Sequence, residues 1–262
     1  MNSLLRPSAV AITHVPSPNM RQGQRTYVTH QPIDYPRALR QHEQYCQALR
    51  ECGVNVRVLD VNANLPDAVF VEDTAIVLDE VAVLASMGTE SRRAEPSRVE
   101  PELRKYRDVH RIELPATIEG GDVLRVGHTL FVGLSARTNP AGAKAIDEIV
   151  RHYGYHVVTV PVRGCLHLKT ACTALLDETL LINPAWLDAS ALGTRTTTAV
   201  PETEPWGANV MLIGETVCAA ADHAQTADLI RARGFTVRAM DISEFAKAEG
   251  GVTCLSLLIP SG

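Results

Sequence analysis

Short apolar runs and polar clusters alternate along this chain in a pattern that returns four times. Residues 70–85 (FVEDTAIVLDEVAVLA) open on a polar cluster, continue as an apolar run, turn at Asp79-Glu80 and finish as a second apolar run. Residues 118–133 (IEGGDVLRVGHTLFVG) repeat this around Gly127-His128, residues 167–183 (HLKTACTALLDETLLIN) near Asp177-Glu178, and residues 207–220 (GANVMLIGETVCAA) around Gly214-Glu215. Two β-branched or apolar runs on either side of a turn-forming dipeptide predict a hairpin. Residues 251–260 (GVTCLSLLIP) have the same polar start and apolar finish but no second half, which an opening strand over 9–13 would complete.

Helical periodicity lies between the hairpins. The segment 34–52 has Asp34 as a cap and Leu39, Tyr45, Cys46 and Leu49 on one side. The segment 139–154 opens on Asn139-Pro140, carries Ala145, Ile146, Ile149, Val150 and Tyr153, and closes on Gly154. Shorter helices are predicted over 95–106, 223–234 and 243–247, and short β runs over 55–59, 110–114, 156–160 and 235–239. Residues 187–205 read as the most loop-like stretch, and 16–26 (PSPNMRQGQRT) as a polar, mobile flap.

Hairpin, helix, strand therefore recurs with a period of about 40 to 50 residues, the signature of an array or ring of small units. No unit of that size buries its own apolar face, so the copies pack around a common centre. About five units fit the chain, giving an α/β fold treated as one domain over 1–262. In a closed ring, the polar clusters that open each unit converge on the axis and form a pocket.

Composition narrows the class. With 45% hydrophobic and 21% charged residues the chain is globular rather than disordered. No apolar run reaches the roughly 18 residues of a membrane helix, and the N-terminus lacks a secretory pattern, so a cytoplasmic protein is expected. A net charge of −5 disfavours nucleic-acid binding. The cysteines at 46, 52, 165, 172, 218 and 254 are scattered without a CxxC pair, which argues for free thiols and against a structural metal.

Cys254 follows Gly250-Gly251-Val252-Thr253, and paired glycines let backbone approach a ligand closely. A buried core cysteine is the commoner meaning of such a residue. Cys165 and Cys172 compete with it locally, because both flank His167. His167 reads as a polar residue in a strand, ordinarily a satisfied core histidine. The module spacing, however, puts it at the ring position of Glu72, Glu119 and Cys254, and a thiol nucleophile needs an imidazole partner. Glu72-Asp73 and Glu119 with Asp122 bring carboxylates from two units to one pocket, where they demand a cation. No ligand spacing favours a metal, whereas a guanidinium suits two-oxygen recognition by carboxylate. Arg92-Arg93 and Arg137 follow their hairpins at matching places and suit an anion such as a substrate carboxylate.

The segments Pro66-Asp67-Ala68-Val69-Phe70-Val71-Glu72-Asp73, Glu90-Ser91-Arg92-Arg93, Glu119-Gly120-Gly121-Asp122, Ala136-Arg137-Thr138-Asn139, His167-Leu168-Lys169, Ala208-Asn209 and Gly251-Val252-Thr253-Cys254 together resemble the dimethylarginine dimethylaminohydrolases of the guanidino-group-modifying, pentein superfamily. They run in order through nearly the whole chain. The resemblance implies a five-bladed α/β propeller of ββαβ modules with pseudo-fivefold symmetry. It implies hydrolysis of Nω-methylated arginine to citrulline and a methylamine through a Cys-bound thiouronium, with no metal or organic cofactor. Carried across, Cys254 would be the nucleophile, His167 the general acid/base and Glu119 its orienting group. Asp73 would hold the guanidinium with Glu72 beside it, Asp67 the amino group, Arg92 and Arg137 the carboxylate, and Phe70 would pack beside the methylated nitrogens. The partner would be a small guanidino amino acid, with no nucleic acid or membrane, and with room for a homodimer. The chain departs from the family pattern in its polar flap (Gln22, Gln24, Arg25), at Arg163-Gly164-Cys165 and at Leu84-Ala85-Ser86-Met87. These bear on which guanidine is preferred. The alternatives are a relative acting on arginine or another substituted guanidine by deimination or amidino transfer, and a non-catalytic binding module of the same fold.

Overall fold

The computed structural model describes residues 9–176 and 179–260. In chain order it runs β1 (Val10–His14), α1 (Tyr35–Glu51), β2 (Asn55–Leu59), β3 (Ala75–Val77), β4 (Val81–Leu84), α2 (Glu95–Leu103) and β5 (Asp108–Arg111). There follow β6 (Val123–Val126), β7 (Thr129–Leu134), α3 (Pro140–Val150), β8 (His156–Pro161), α4 (Leu168–Ala171), β9 (Cys172–Leu176), β10 (Thr179–Ile182) and β11 (Thr196–Ala199). The chain ends with β12 (Met211–Ile213), β13 (Thr216–Ala220), α5 (Ala224–Arg231), β14 (Thr236–Met240), α6 (Ser243–Ala246) and β15 (Leu257–Ile259).

These strands form five three-stranded sheets, β15-β1-β2, β3-β4-β5, β6-β7-β8, β9-β10-β11 and β12-β13-β14. In each, the first strand pairs antiparallel with the second, and the second pairs parallel with the third. A hairpin supplies the first pairing in four sheets and the two ends of the chain supply it in β15-β1-β2, while a crossover supplies the second. First strands of all five sheets line one cavity of about 290 Å³, so the sheets are blades around a common axis. Second strands are covered on both faces, which is why β4 is apolar throughout and entirely buried. Third strands form the outer edge and are mostly exposed. The five-bladed α/β propeller expected from the repeat is the observed fold.

Helix caps follow the sequence closely. Asp34 accepts from the Arg37 N–H at the start of α1, and Asn139 from the Gly142 N–H at the start of α3. The Gly127 and Gly214 turns hold φ of 58° and 57°, the left-handed conformation a tight hairpin needs. The turn expected near Asp177-Glu178 lies outside the described residues.

Four local expectations are corrected. The loop-like stretch 187–205 contains β11, the outer strand of the fourth blade, reached through a 3₁₀ turn (Ala189–Leu192) where an α-helix would otherwise stand. An outer strand with only Thr198 buried leaves no apolar alternation to read. The strand placed at 110–114 pairs instead over Asp108–Arg111, and Leu114 is 52% exposed. The apolar side of α1 is Ala38, Tyr45, Cys46, Ala48 and Leu49, while Leu39 faces solvent at 40% exposure. In the last segment only Leu257–Ile259 is strand, and 252–255 is a turn.

That turn is held from α1. The fully buried Tyr45 hydroxyl lies 2.9 Å from the Val252 carbonyl oxygen and 2.8 Å from Ser256 Oγ. Tyr45→Phe strands both groups without water, so it should lower unfolding free energy by about 1–3 kcal/mol in urea denaturation while leaving the far-ultraviolet circular dichroism unchanged.

Candidate active site

Four of the five blades open with a short turn that ends where the first strand begins, and these turns carry the chemistry. A 3₁₀ turn (Val71–Thr74) presents Glu72 and Asp73 ahead of β3, and another (Gly120–Asp122) follows Glu119 ahead of β6. The helix α4 presents His167 at its N-cap ahead of β9, and the turn 252–255 presents Cys254 ahead of β15. His167 was expected in a strand. It is extended, but it caps a one-turn helix because Asp122 of the preceding blade accepts the Leu168 N–H at 2.9 Å.

One small cavity is walled by Gln24, Asp67, Phe70, Asp73, Arg92, Arg137, His167, Glu249 and Cys254, among others. Of the sequence-predicted residues, seven line it directly: Cys254, His167, Asp67, Phe70, Asp73, Arg92 and Arg137. Glu119 stands behind His167, fully buried, with Oε2 2.8 Å from Nε2 and Oε1 accepting from the Gly88 N–H. Glu72 lies one turn away, where it accepts from Lys169 Nζ at 2.5 Å and from the Thr253 hydroxyl at 2.8 Å, and lines the axial cavity instead. Lys169 and Thr253 line that axial cavity with it.

Asp73 is the most heavily engaged acid. It accepts from Arg92 NH1 at 2.7 Å and from the Gly121 N–H at 3.1 Å, and its Oδ1 is 3.6 Å from His167 Nδ1. Gly121 is required here: a Cβ on it would lie 2.6 Å from His167 Nδ1 and 2.7 Å from Asp73 Oδ1. Arg92 is spent on protein, with Glu95, Asp73 and the Phe70 carbonyl all accepting from its guanidinium. Arg137 has fewer partners, donating to Thr89 Oγ1 and lying 3.6 Å from Glu119. Asp67 accepts from the Gln24 N–H, so the flap touches the site from above.

Electrostatics set the resting protonation. Burial alone would lower the His167 pKa, but Asp73, Asp122 and Glu119 outweigh it and raise it to about 9. Burial, together with Glu72 and Asp73, pushes the Cys254 thiol up to about 12. Burial also lifts Asp67 above its ordinary value, against Arg92 and the Gln24 N–H, and lifts Asp122 to about 6. At neutral pH the site therefore holds an imidazolium and a neutral thiol, with one backbone donor, the Gly251 N–H, 3.3 Å from the sulfur.

Of the three cysteines considered from the sequence, Cys254 alone lines this cavity. Cys165 is buried against the His167 carbonyl oxygen, 3.4 Å away, and Cys172 is sealed inside β9; neither lines the cavity. Asp73, Glu119 and His167 each offer a ligand atom within 4.8 Å of the others, a spacing that could hold a metal ion. In this structure those atoms are committed to one another, to Arg92 and to the Gly121 N–H. Sequence reasoning missed Lys169 as the partner of Glu72. It also missed Asn209, whose side chain receives the Thr253 N–H and donates to the Lys169 carbonyl, and Glu249, which grips the flap. Buried polar residues just before a strand were the available signal for Asn209.

Comparison with known proteins places this arrangement. Residues 7–185 match the family model described as N,N dimethylarginine dimethylhydrolase, eukaryotic. The N(G),N(G)-dimethylarginine dimethylaminohydrolase of Streptomyces coelicolor is 39% identical over 253 residues, covering 96% of this chain and 97% of its own. The enzyme of the same name from Pseudomonas aeruginosa is 35% identical over 226 residues, covering 86% and 89%. A crystal structure of the Pseudomonas aeruginosa protein, a Cys-to-Ser mutant complexed with citrulline, superposes with a TM-score of 0.91 at 32% identity, covering 96% of this chain and 98% of that one. The N-terminal domain of the arginine dihydrolase ArgZ shares the fold, with a TM-score of 0.85 at 21% identity over 97% of this chain and 98% of its own. The chain belongs to the dimethylarginine dimethylaminohydrolase family.

Proposed function

We propose that this protein hydrolyses Nω-methylated arginine to citrulline and a methylamine, with Cys254 as nucleophile and His167 as general acid/base. The observation that carries the reading is one cavity holding Cys254 and His167 together with Asp73, with Glu119 hydrogen-bonded behind the imidazole. The citrulline complex of the Pseudomonas aeruginosa relative supports the product. Because the site draws on blades from both ends of the chain, we read 1–262 as one functional unit, acting in the cytoplasm. No helix among the described residues is long and apolar enough to cross a membrane.

Arg137, with the positive charge of Arg92 behind it, receives the α-carboxylate, and Asp67 the α-ammonium in place of the Gln24 N–H. The guanidinium lies against Asp73, with Glu72 deepening the negative potential and Phe70 beside the methyl groups. A guanidinium carbon is a weak electrophile because its charge is delocalised. Fixed carboxylates orient it and keep it charged.

The same cation changes the thiol. Its charge offsets Glu72 and Asp73, the acids that help hold the thiol proton, so binding favours loss of that proton to solvent and formation of the thiolate. The sulfur adds to the guanidinium carbon. The bond from carbon to the dimethylamino nitrogen then breaks as that nitrogen takes a proton from the imidazolium. Nδ1, whose nearest acid is 3.6 Å away, is the nitrogen free to give it, since Nε2 is held by Glu119 at 2.8 Å. Neutral His167 next takes a proton from water, which adds to the thiouronium carbon. Cleavage of the carbon–sulfur bond returns the electron pair to Cys254 and leaves the ureido group of citrulline.

The test is citrulline and dimethylamine release from dimethylarginine, monomethylarginine and arginine. Release from the methylated substrates, lost by at least about 10⁴-fold in a folded Cys254→Ser protein, supports the proposal. A fully active serine variant, or turnover of arginine alone, overturns it. In the ligand-free protein, inactivation by a neutral alkylating reagent should climb about tenfold per pH unit without a plateau to pH 10, because the thiol titrates near 12. Turnover should fall as pH passes about 9, where His167 loses its proton. Glu119→Gln removes one of the three acids raising that value, so the falling limb should move down by about one pH unit or more, with kcat reduced about 10²-fold.

A further inference from the structure

Glu249 is buried, at 5% exposure, and pairs with no Lys, Arg or His among the described residues. Its Oε1 accepts from the N–H groups of Thr26, Tyr27 and Val28 in the flap, at 2.7 Å from Thr26 and 2.9 Å from Val28. Its Oε2 is the one buried carboxylate oxygen among the described residues without a hydrogen-bond partner. Its backbone is also held at φ 65°, a left-handed conformation that a residue with a Cβ adopts only when its surroundings impose it. A buried carboxylate normally has a cation or a full set of donors, and here half of it has neither.

Glu249 and Gly250 form a wall shared by two cavities. On one side is the site of Cys254 and His167, and on the other a partly open space of about 120 Å³. The second cavity is bounded by the apolar side chains of Val28 and Ile242, by Trp206, and by Asp222, His223 and Glu249. Its acids outnumber its one base, and that base, His223, already lies 3.6 Å from Asp222 at the rim. At roughly 30 Å³ per water the space holds about four waters, enough for a ligand of three or four heavy atoms. An unpaired carboxylate oxygen, an indole and aliphatic walls together recognise a small alkylated ammonium ion: charge to the carboxylate, methyl groups to the apolar side, and cation–π attraction to the indole.

We infer that the cavity between Trp206, His223 and Glu249 binds a small alkylammonium cation and, resting on the function proposed above, receives the methylammonium ion that leaves the neighbouring site. The released amine is a strong base, so it departs as a cation of this kind. Glu249 would join the two halves of the event: one oxygen holds the backbone of 26–28, and the other, buried and without a partner, would turn into the cavity as the amine's counter-charge. The same residue thereby links amine departure to flap release.

Ligand-observed saturation-transfer NMR on the methyl protons of dimethylammonium chloride tests this with Cys254→Ser protein saturated with citrulline, against potassium chloride at equal ionic strength. The expected result is saturable binding that persists with citrulline present. Glu249→Gln should weaken it about tenfold, and Asp222→Asn should weaken it in the same direction. Thermal unfolding of the Glu249→Gln protein checks that it is folded, and the rim variant carries the test if it is not. Absence of saturable binding, complete displacement by citrulline, or affinity unchanged in both variants overturns the inference. Dimethylammonium binding in a protein that fails to release citrulline would sink the proposed reaction and leave this site standing; the converse result would do the reverse.

Discussion

Asp67, Glu72, Asp73, Glu95, Glu119 and Asp122 are all buried at one end of the ring, and the cations among the described residues that reach them are Arg92, Arg137, Lys169 and His167. Crowding acids away from water is costly unless positive charge is brought to them, and the site's properties follow from how this chain supplies it. Arg92 is fixed in place by Asp73 and Glu95 before any ligand arrives, and Lys169 is fixed by Glu72. The remaining demand falls on His167, whose imidazole is protonated at neutral pH despite complete burial. In the proposed reaction a guanidinium guest would meet a surface already biased toward cations, and its arrival would relieve the same potential that keeps the sulfur protonated. Recognition and activation are in this sense one electrostatic event.

The propeller makes that crowding attainable. No single blade could hold several acids and an imidazole on one short turn. Four blades each contribute one turn to the same end, and polar atoms from one blade satisfy backbone from the next. Asp122 caps the helix that starts at His167, the Glu72 N–H donates to the Cys254 carbonyl, and Asn209 ties Thr253 to Lys169. Such inter-blade bonds replace the long-range packing that small sheets cannot provide, and they hold the reacting groups on rigid turns rather than on free loops. The flap 16–26, expected to be mobile, is here tied down through Gln24 to Asp67, with its continuation tied to Glu249, and Met20 is buried. In the proposed reaction, substrate entry would exchange the Gln24 backbone donor for its own.

Much of this was legible in the sequence, for a physical reason. A hairpin buried on both faces writes itself as two apolar runs around a turn, and four such runs at a regular period disclose a ring before any coordinate is known. The ring then converts distant residues such as Glu119, His167 and Cys254 into neighbours. What escaped was whatever leaves no apolar trace. Outer strand β11 shows solvent nearly all its side chains, so its threonines read as loop. Glu249 reads as a polar residue before a glycine pair, and only coordinates reveal that it turns inward to the flap amides. Likewise Arg92 and Arg137 look equivalent by position, whereas the structure spends one on protein carboxylates and leaves the other more open to a ligand.

The most direct check is the titration of the His167 ring by heteronuclear NMR in the Cys254→Ser protein without ligand. If neighbouring acids outweigh burial, the ring stays doubly protonated through neutral pH and titrates near 9. A midpoint at or below the 6.5 of an unperturbed histidine would mean that desolvation wins, and the electrostatic account of this site would be contradicted.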